Sequence, residues 1–119
     1  MITFLPTHDI KSTEKFYTEK LGLKLYKSQN GGNTLIFDTG SGMIGFSQIT
    51  DDRNTPNSDK GVCISFVYDT KDEVDKKFAE LESKGVKITG EPKELIKFGV
   101  YSFFFEDAEG YRLEIQAFL

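Results

Sequence analysis

The sequence predicts an α+β fold built from two βαβββ modules. Three observations predict it. A capped helix signal occurs twice, each time after one short strand pattern and before three more. Landmark residues of the first half return in the same order in the second: Asp9 with Asp69, Gly22 with Gly85, Asp38 with Asp107, and Ile44 with Leu113. Between the halves lies Thr50 to Lys60, TDDRNTPNSDK, which has no apolar residue and reads as a solvated linker. Either half alone would leave one face of a four-stranded sheet bare, so two halves are needed to cover a core. The expectation is a single domain over residues 1–119. A first module covers 1–49, a linker 50–61 and a second module 62–119. The modules are expected as pseudo-twofold partners whose mixed sheets enclose a cavity, with the helices outside.

The elements follow in order. Ile2 to Leu5 is short, apolar and strand-like, and Pro6 removes a backbone donor and limits further pairing. Thr13, Phe16, Tyr17 and Leu21 then recur at helical spacing, with Glu14, Lys15, Glu19 and Lys20 on the other face. Ser12 or Thr13 is placed to cap this helix, and Gly22 to end it in the left-handed conformation. Strands are expected at Leu23 to Lys27, Thr34 to Asp38 and Met43 to Ile49, joined by Asn30-Gly31-Gly32 and Gly40-Ser41-Gly42. In the second half, Val62 to Tyr68 is a strand. Thr70 and Glu73 have the spacing of a capping box, Val74, Phe78 and Leu81 form a helical stripe, and Gly85 closes the helix. Strands are expected at Val86 to Thr89, Val100 to Glu106 and Tyr111 to Phe118, the last two joined by Asp107 to Gly110.

Composition narrows the function. The 119 residues carry 15 Lys+Arg against 19 Asp+Glu, a net charge of −4, which argues against a duplex-binding surface. Eleven Phe and five Tyr within a 38% apolar fraction are enough for a core. The longest apolar stretch, Val62 to Tyr68, is far below the ~20 residues that span a bilayer. No charged-then-apolar leader opens the chain, so a cytoplasmic protein is expected. One cysteine, Cys63, excludes an internal disulfide, and one histidine, His8, cannot make a zinc site alone.

Two segments carry a family resemblance. Asp9-Ile10-Lys11-Ser12-Thr13-Glu14-Lys15-Phe16-Tyr17 with Leu21-Gly22-Leu23-Lys24-Leu25 resembles an opening motif, and Phe105-Glu106-Asp107-Ala108-Glu109-Gly110-Tyr111-Arg112-Leu113-Glu114-Ile115 a closing one. Both are similar to those of the vicinal oxygen chelate superfamily, the glyoxalase/bleomycin-resistance/dioxygenase group. The resemblance covers nearly the whole chain and implies the fold more strongly than the function.

In metal-dependent members of that family, ligands come from the first and last strands of each module, so that a divalent ion with open positions polarises two substrate oxygens. The resemblance puts these positions at Ile2, Gly45, Cys63 and Glu114. Ile2 has no donor atom and Gly45 no side chain, so only Glu114 is a clear ligand, a vestige of the set. No metal and no cofactor are expected.

Strand alternation then assigns faces. If Glu114 faces the cavity, so do Arg112 and Gln116, while Leu113 and Ile115 face the helix. By the repeat, Met43, Gly45 and Ser47 also line it. Cys63, Ser65 and Val67 do so from the fifth strand, and Ile2 and Phe4 from the first. The ten residues expected at the ligand cavity are Ile2, Phe4, Met43, Gly45, Ser47, Cys63, Ser65, Arg112, Glu114 and Gln116. Such a lining suits a small organic ligand held by stacking and a few hydrogen bonds. Glu114 has two readings: direct ligand contact, or pairing with Arg112 and water. Cys63 reads as a small buried hydrophobe rather than a nucleophile, and no catalytic residue is assigned. His8 reads as a loop residue away from the cavity floor.

The expected function is a metal-independent binder of aromatic or cationic drug-like compounds, resembling bleomycin-resistance proteins, with no nucleic acid or membrane partner. The resemblance implies a homodimer, and whether modules pair within one chain or between two stays open. The alternative is an enzyme, a divergent lactoylglutathione-lyase-like isomerase or lyase.

Overall fold

In the computed structural model, residues 1–51 and 60–119 are described. The linker expected at 50–61 falls largely outside them. The chain divides into two compact units, Met1–Ser58 with Ala108–Gly110, and Asp59–Asp107 with Tyr111–Leu119.

In the first unit β1 (Ile2–Thr7), β2 (Lys24–Gln29), β3 (Thr34–Asp38) and β4 (Met43–Gln48) form one mixed sheet in the order β1-β4-β3-β2. Only β1 and β4 run parallel. β1 continues through Pro6 to Thr7, further than the sequence implied. It is an edge strand with β4 on one side only, so a missing N–H on its free side breaks no ladder bond. Helix α1 (Ile10–Lys15) runs on into a wider turn over Phe16–Lys20, closed by the Leu21 N–H donating to Phe16 O at 3.0 Å. Its cap is Asp9, not Ser12 or Thr13. Asp9 Oδ1 accepts from the Ser12 N–H at 3.1 Å, and the hydrogen bonds from Ser12 hold the carboxyl below its ordinary range. Thr13 is instead buried, its hydroxyl 2.7 Å from that of Thr7. The predicted stripe is the core: Tyr17 is fully buried, its ring centroid 4.7 Å from Phe46 and 5.6 Å from Phe37.

The second unit repeats the plan. β5 (Cys63–Tyr68), β6 (Lys93–Leu95), β7 (Val100–Glu106) and β8 (Arg112–Phe118) form a sheet in the order β5-β8-β7-β6, again with one parallel pair, β5 and β8. Helix α2 (Lys71–Ser83) begins with the expected capping box of Thr70 and Glu73. It lays Val74 and Leu81 on the sheet, and Phe78 meets Phe103 at 5.3 Å. Gly22 and Gly85, with φ of +79° and +73°, end the two helical segments as expected. Asp38 and Asp107 also do the same work in each unit. One accepts from the Gly40 N–H at 2.7 Å, the other from the Tyr111 N–H at 2.8 Å, and each fixes the turn into the last strand.

One strand differs from expectation. Val86 to Thr89 makes a single bridge, Ile88 with Phe105, and the edge strand of the sheet is Lys93–Leu95. A three-residue strand between a Gly-Glu-Pro stretch and a tight turn has too little alternation to stand out in sequence.

Candidate functional site

The pairing registers superimpose the two sheets residue by residue. Ile2 lies beside Met43 and Phe4 beside Gly45 in the first; Cys63 lies beside Arg112 and Ser65 beside Glu114 in the second. Gly45 is therefore the structural counterpart of Glu114, as the repeat implied.

On β8 the pleat sends Leu113, Ile115 and Ala117 under α2, where all three are buried. Arg112, Glu114 and Gln116 point to the opposite face, the floor of a cavity of about 980 Å³. Cys63 from β5, Ser102 and Phe104 from β7, and Phe98 and Phe118 at its rim complete the part that bears on chemistry. Glu114 is the centre of the floor. Its Oε1 accepts from the Ser65 hydroxyl and, at 3.0 Å, from the Gln116 side-chain N–H. The carboxylate is 7% exposed. Glu114 does not pair with Arg112. The guanidinium lies instead over the Phe104 ring, 4.2 Å from its centroid, because the two residues flank Glu114 on adjacent strands. Cys63 is exposed rather than buried as expected, yet partial desolvation pushes its thiol above the ordinary pKa and the nearby Glu114 charge adds to this, while a hydrogen bond with Ser65 and the Arg112 charge oppose it. The thiol thus stays protonated at neutral pH, contrary to what a nucleophile requires.

The first unit's face is different. Phe4 leans over Gly45, so that a Cβ built there would lie 2.5 Å from two of its ring carbons. Ser47 shares a 3.0 Å hydrogen bond with Thr34. Ile2 and Phe4 are partly exposed, at 38% and 49%. Of the ten residues expected at the cavity, Cys63, Arg112, Glu114 and Gln116 line it, and Ser65 is tied to it through Glu114. Ile2, Phe4, Met43, Gly45 and Ser47 lie on the first sheet's face, outside that lining. Phe98, Ser102, Phe104 and Phe118 line the cavity but are not among those ten. Alternation along Val100, Ser102 and Phe104 carried the signal for two of them, but the run Phe103-Phe104-Phe105 has apolar residues on both faces and masks it.

His8 does sit in the connection between β1 and α1. Its Nδ1 is 2.5 Å from Glu109 Oε2, its own N–H donates to Glu109 Oε1 at 2.9 Å, and the Thr7 hydroxyl donates to the same oxygen at 3.1 Å. Glu109 is 4% exposed, so these bonds hold a buried carboxylate in place.

A divalent ion does not fit the four family positions. Ile2 and Gly45 offer no donor and the Phe4 ring occupies the space over Gly45, which leaves two of the four positions with a donor atom. Among the described residues no three His, Cys, Asp or Glu side chains converge on a metal position.

A scaffold of two βαβββ units with a polar-floored cavity on one sheet is a fold that hosts many chemistries, so the fold alone assigns no function. Residues 2–115 match the Glyoxalase/Bleomycin resistance protein/Dioxygenase superfamily, and the chain belongs to it. No curated protein matches. Among solved structures, a glyoxalase/bleomycin resistance protein/dioxygenase from Nocardioides is similar with a TM-score of 0.83 at 21% identity, covering 100% of this chain and 82% of its own. Lactoylglutathione lyase from Agrobacterium tumefaciens has a TM-score of 0.76 at 24% identity, over 98% and 91%. A genomically encoded fosfomycin resistance protein from Listeria monocytogenes has 0.75 at 16%, over 100% and 92%. At these identities the likeness establishes the fold alone. Among the described residues no helix is long and apolar enough to cross a membrane.

Proposed function

We propose that the protein binds a small aromatic or cationic organic compound in the second unit's cavity without a metal, in the manner of bleomycin-resistance proteins. The observation that carries this reading is a cavity of about 980 Å³ with aromatic rim residues around a carboxylate whose hydrogen bonds from the described residues all go to one oxygen. The second oxygen, Oε2, accepts no hydrogen bond among the described residues and is available to a ligand cation or hydroxyl. The donor set speaks against the alternative, a divergent lactoylglutathione-lyase-like enzyme, because that chemistry calls for a polarising ion that Ile2 and Gly45 cannot help to hold.

The reading includes one domain of two modules, a cytoplasmic location and a homodimer. Exposed apolar side chains on strand faces, Ile2 and Phe4 on β1 and Val67 on β5, support self-association. Sedimentation equilibrium tests it, and a monomer at all concentrations removes that part.

A thermal-shift screen of aromatic and cationic compounds tests the binding. A ligand at a hundred times its Kd stabilises by about 2.7 kcal/mol. No stabilisation by any compound overturns the reading. Stoichiometric nickel, zinc, manganese or iron in protein purified without chelator, lost in Glu114→Ala, overturns it in favour of the enzyme.

A further inference from the structure

We propose that Ser102 and Gln116 form a recognition point for a ligand hydroxyl, so that the cavity selects ring compounds with a free O–H over their deoxy and O-methyl counterparts. This rests on the small-molecule reading above and names the ligand chemistry of that site.

Ser102 and Gln116 face each other across β7 and β8. Among the described residues, Ser102 Oγ and Gln116 Oε1 are the buried side-chain atoms without a hydrogen-bond partner, and Ser102 is 1% exposed. Both residues line the cavity. Leaving such groups unpaired costs free energy, so their persistence on a cavity floor points to a partner that arrives from outside the chain.

The partner's chemistry follows from the neighbours. Glu114 accepts the Gln116 N–H and, as a carboxylate, has no hydrogen to offer. It therefore fixes the amide with its nitrogen toward Glu114 and its carbonyl away. The negative charge also polarises the amide and makes the carbonyl a better acceptor. A ligand must then donate to Gln116 Oε1. The Ser102 hydroxyl has a hydrogen to give. One ligand hydroxyl satisfies both, donating to Gln116 and accepting from Ser102. An ether oxygen serves only Ser102, an ammonium serves only Gln116, and a ligand carboxylate meets the Glu114 charge. The rings of Phe98, Phe104 and Phe118 supply flat apolar surface for the remainder of the ligand.

The probes are 2-naphthol, naphthalene and 2-methoxynaphthalene, titrated calorimetrically into the full chain. Wild type should bind 2-naphthol about tenfold tighter than the other two, the worth of roughly one net hydrogen bond. Ser102→Ala should bring that ratio toward one while naphthalene affinity holds. Because Ser102 Oγ has no partner among the described residues, the variant should melt at or above the wild-type temperature. Equal wild-type affinity for the three compounds, or a ratio that Ser102→Ala leaves intact, overturns the inference and leaves the small-molecule reading standing. Binding of none of the three overturns the inference, and the wider compound screen then judges that reading separately. A water that still bridges Ser102 and Gln116 in crystals of the 2-naphthol complex also overturns it, since water would then be the partner.

Discussion

The two units share strand order, pairing register, helix-ending glycines and turn aspartates, yet their open faces are unlike. At the equivalent point on the fourth strand the first unit has Gly45 beneath the Phe4 ring, and the second has Glu114 held by Ser65 and Gln116. The same scaffold supports a self-filled apolar face and a polar-floored cavity. The difference rests on few positions, Phe4 against Ser65 and Gly45 against Glu114, all pointing away from the helices. Residues under the helices cannot diverge so freely, because they fill a close-packed core.

Four expected outcomes probe that comparison, the largest first. The units should be alike beneath their helices. Phe46→Ala in the first unit should cost about 3–5 kcal/mol and Leu113→Ala in the second about 2–5, read from denaturant midpoints. A loss under about 1 kcal/mol at either site would mean that its core is not packed as described.

Next, the faces should resist exchange. Gly45→Glu puts the second unit's carboxylate into the first and drives it against the Phe4 ring, at a cost of about 1–3 kcal/mol. Phe4→Ala in the same chain should recover much of that loss, because the ring is half exposed and carries little of the core. A double-mutant cycle measures the coupling, and simple additivity would show that Phe4 does not block the site.

Glu114→Ala leaves the Ser65 hydroxyl and the Gln116 amide without their acceptor and should cost about 1–3 kcal/mol. It should also lower the pKa of Cys63, because the charge that disfavours the thiolate is gone. Arg112→Ala should raise that pKa, because it removes a charge that favours the thiolate. The rate of Cys63 alkylation against pH follows both shifts: the curve moves to lower pH in the first variant and to higher pH in the second. Unmoved curves would mean that the thiol does not feel the cavity floor.

The smallest effect separates the helix starts. Thr70→Ala should cost about 0.5–2 kcal/mol at any pH where the chain folds. Asp9→Ala should destabilise in a pH-dependent way. The Asp9 pKa is lowered on folding, so its contribution is present above the unfolded value of 3.8 and is lost as pH falls through the lower folded one. An Asp9→Ala deficit that persists unchanged in acid would show that the charge is not what caps α1.

Much of the fold is legible from residue order because it rests on local rules. Helical spacing exposes the buried stripe of Thr13, Phe16, Tyr17 and Leu21, and the capping box announces α2. Alternation also separates Arg112, Glu114 and Gln116 from Leu113 and Ile115. Local rules fail where two options compete. Ser12 and Asp9 both have capping side chains, and the helix starts one turn earlier than the apolar stripe implies. They fail too where a strand is only Lys93 to Leu95, too short for any period.

The chain order by itself carried the two motifs that resemble the superfamily's, the two-module plan, and the alternation that puts Arg112, Glu114 and Gln116 on one face of β8; the resemblance is what put Ile2 and Gly45, which have no donors, at ligand positions. Periodicity and residue chemistry are properties of short stretches, and these needed nothing more. Only the tertiary structure decided that Phe4 fills the space above Gly45, that Arg112 stacks on Phe104 rather than pairing with Glu114, and that Ser102 Oγ and Gln116 Oε1 stand close without a hydrogen-bond partner among the described residues. Each depends on which strands lie side by side and in what register. That is set by the packing of segments distant in sequence, where no local period reaches.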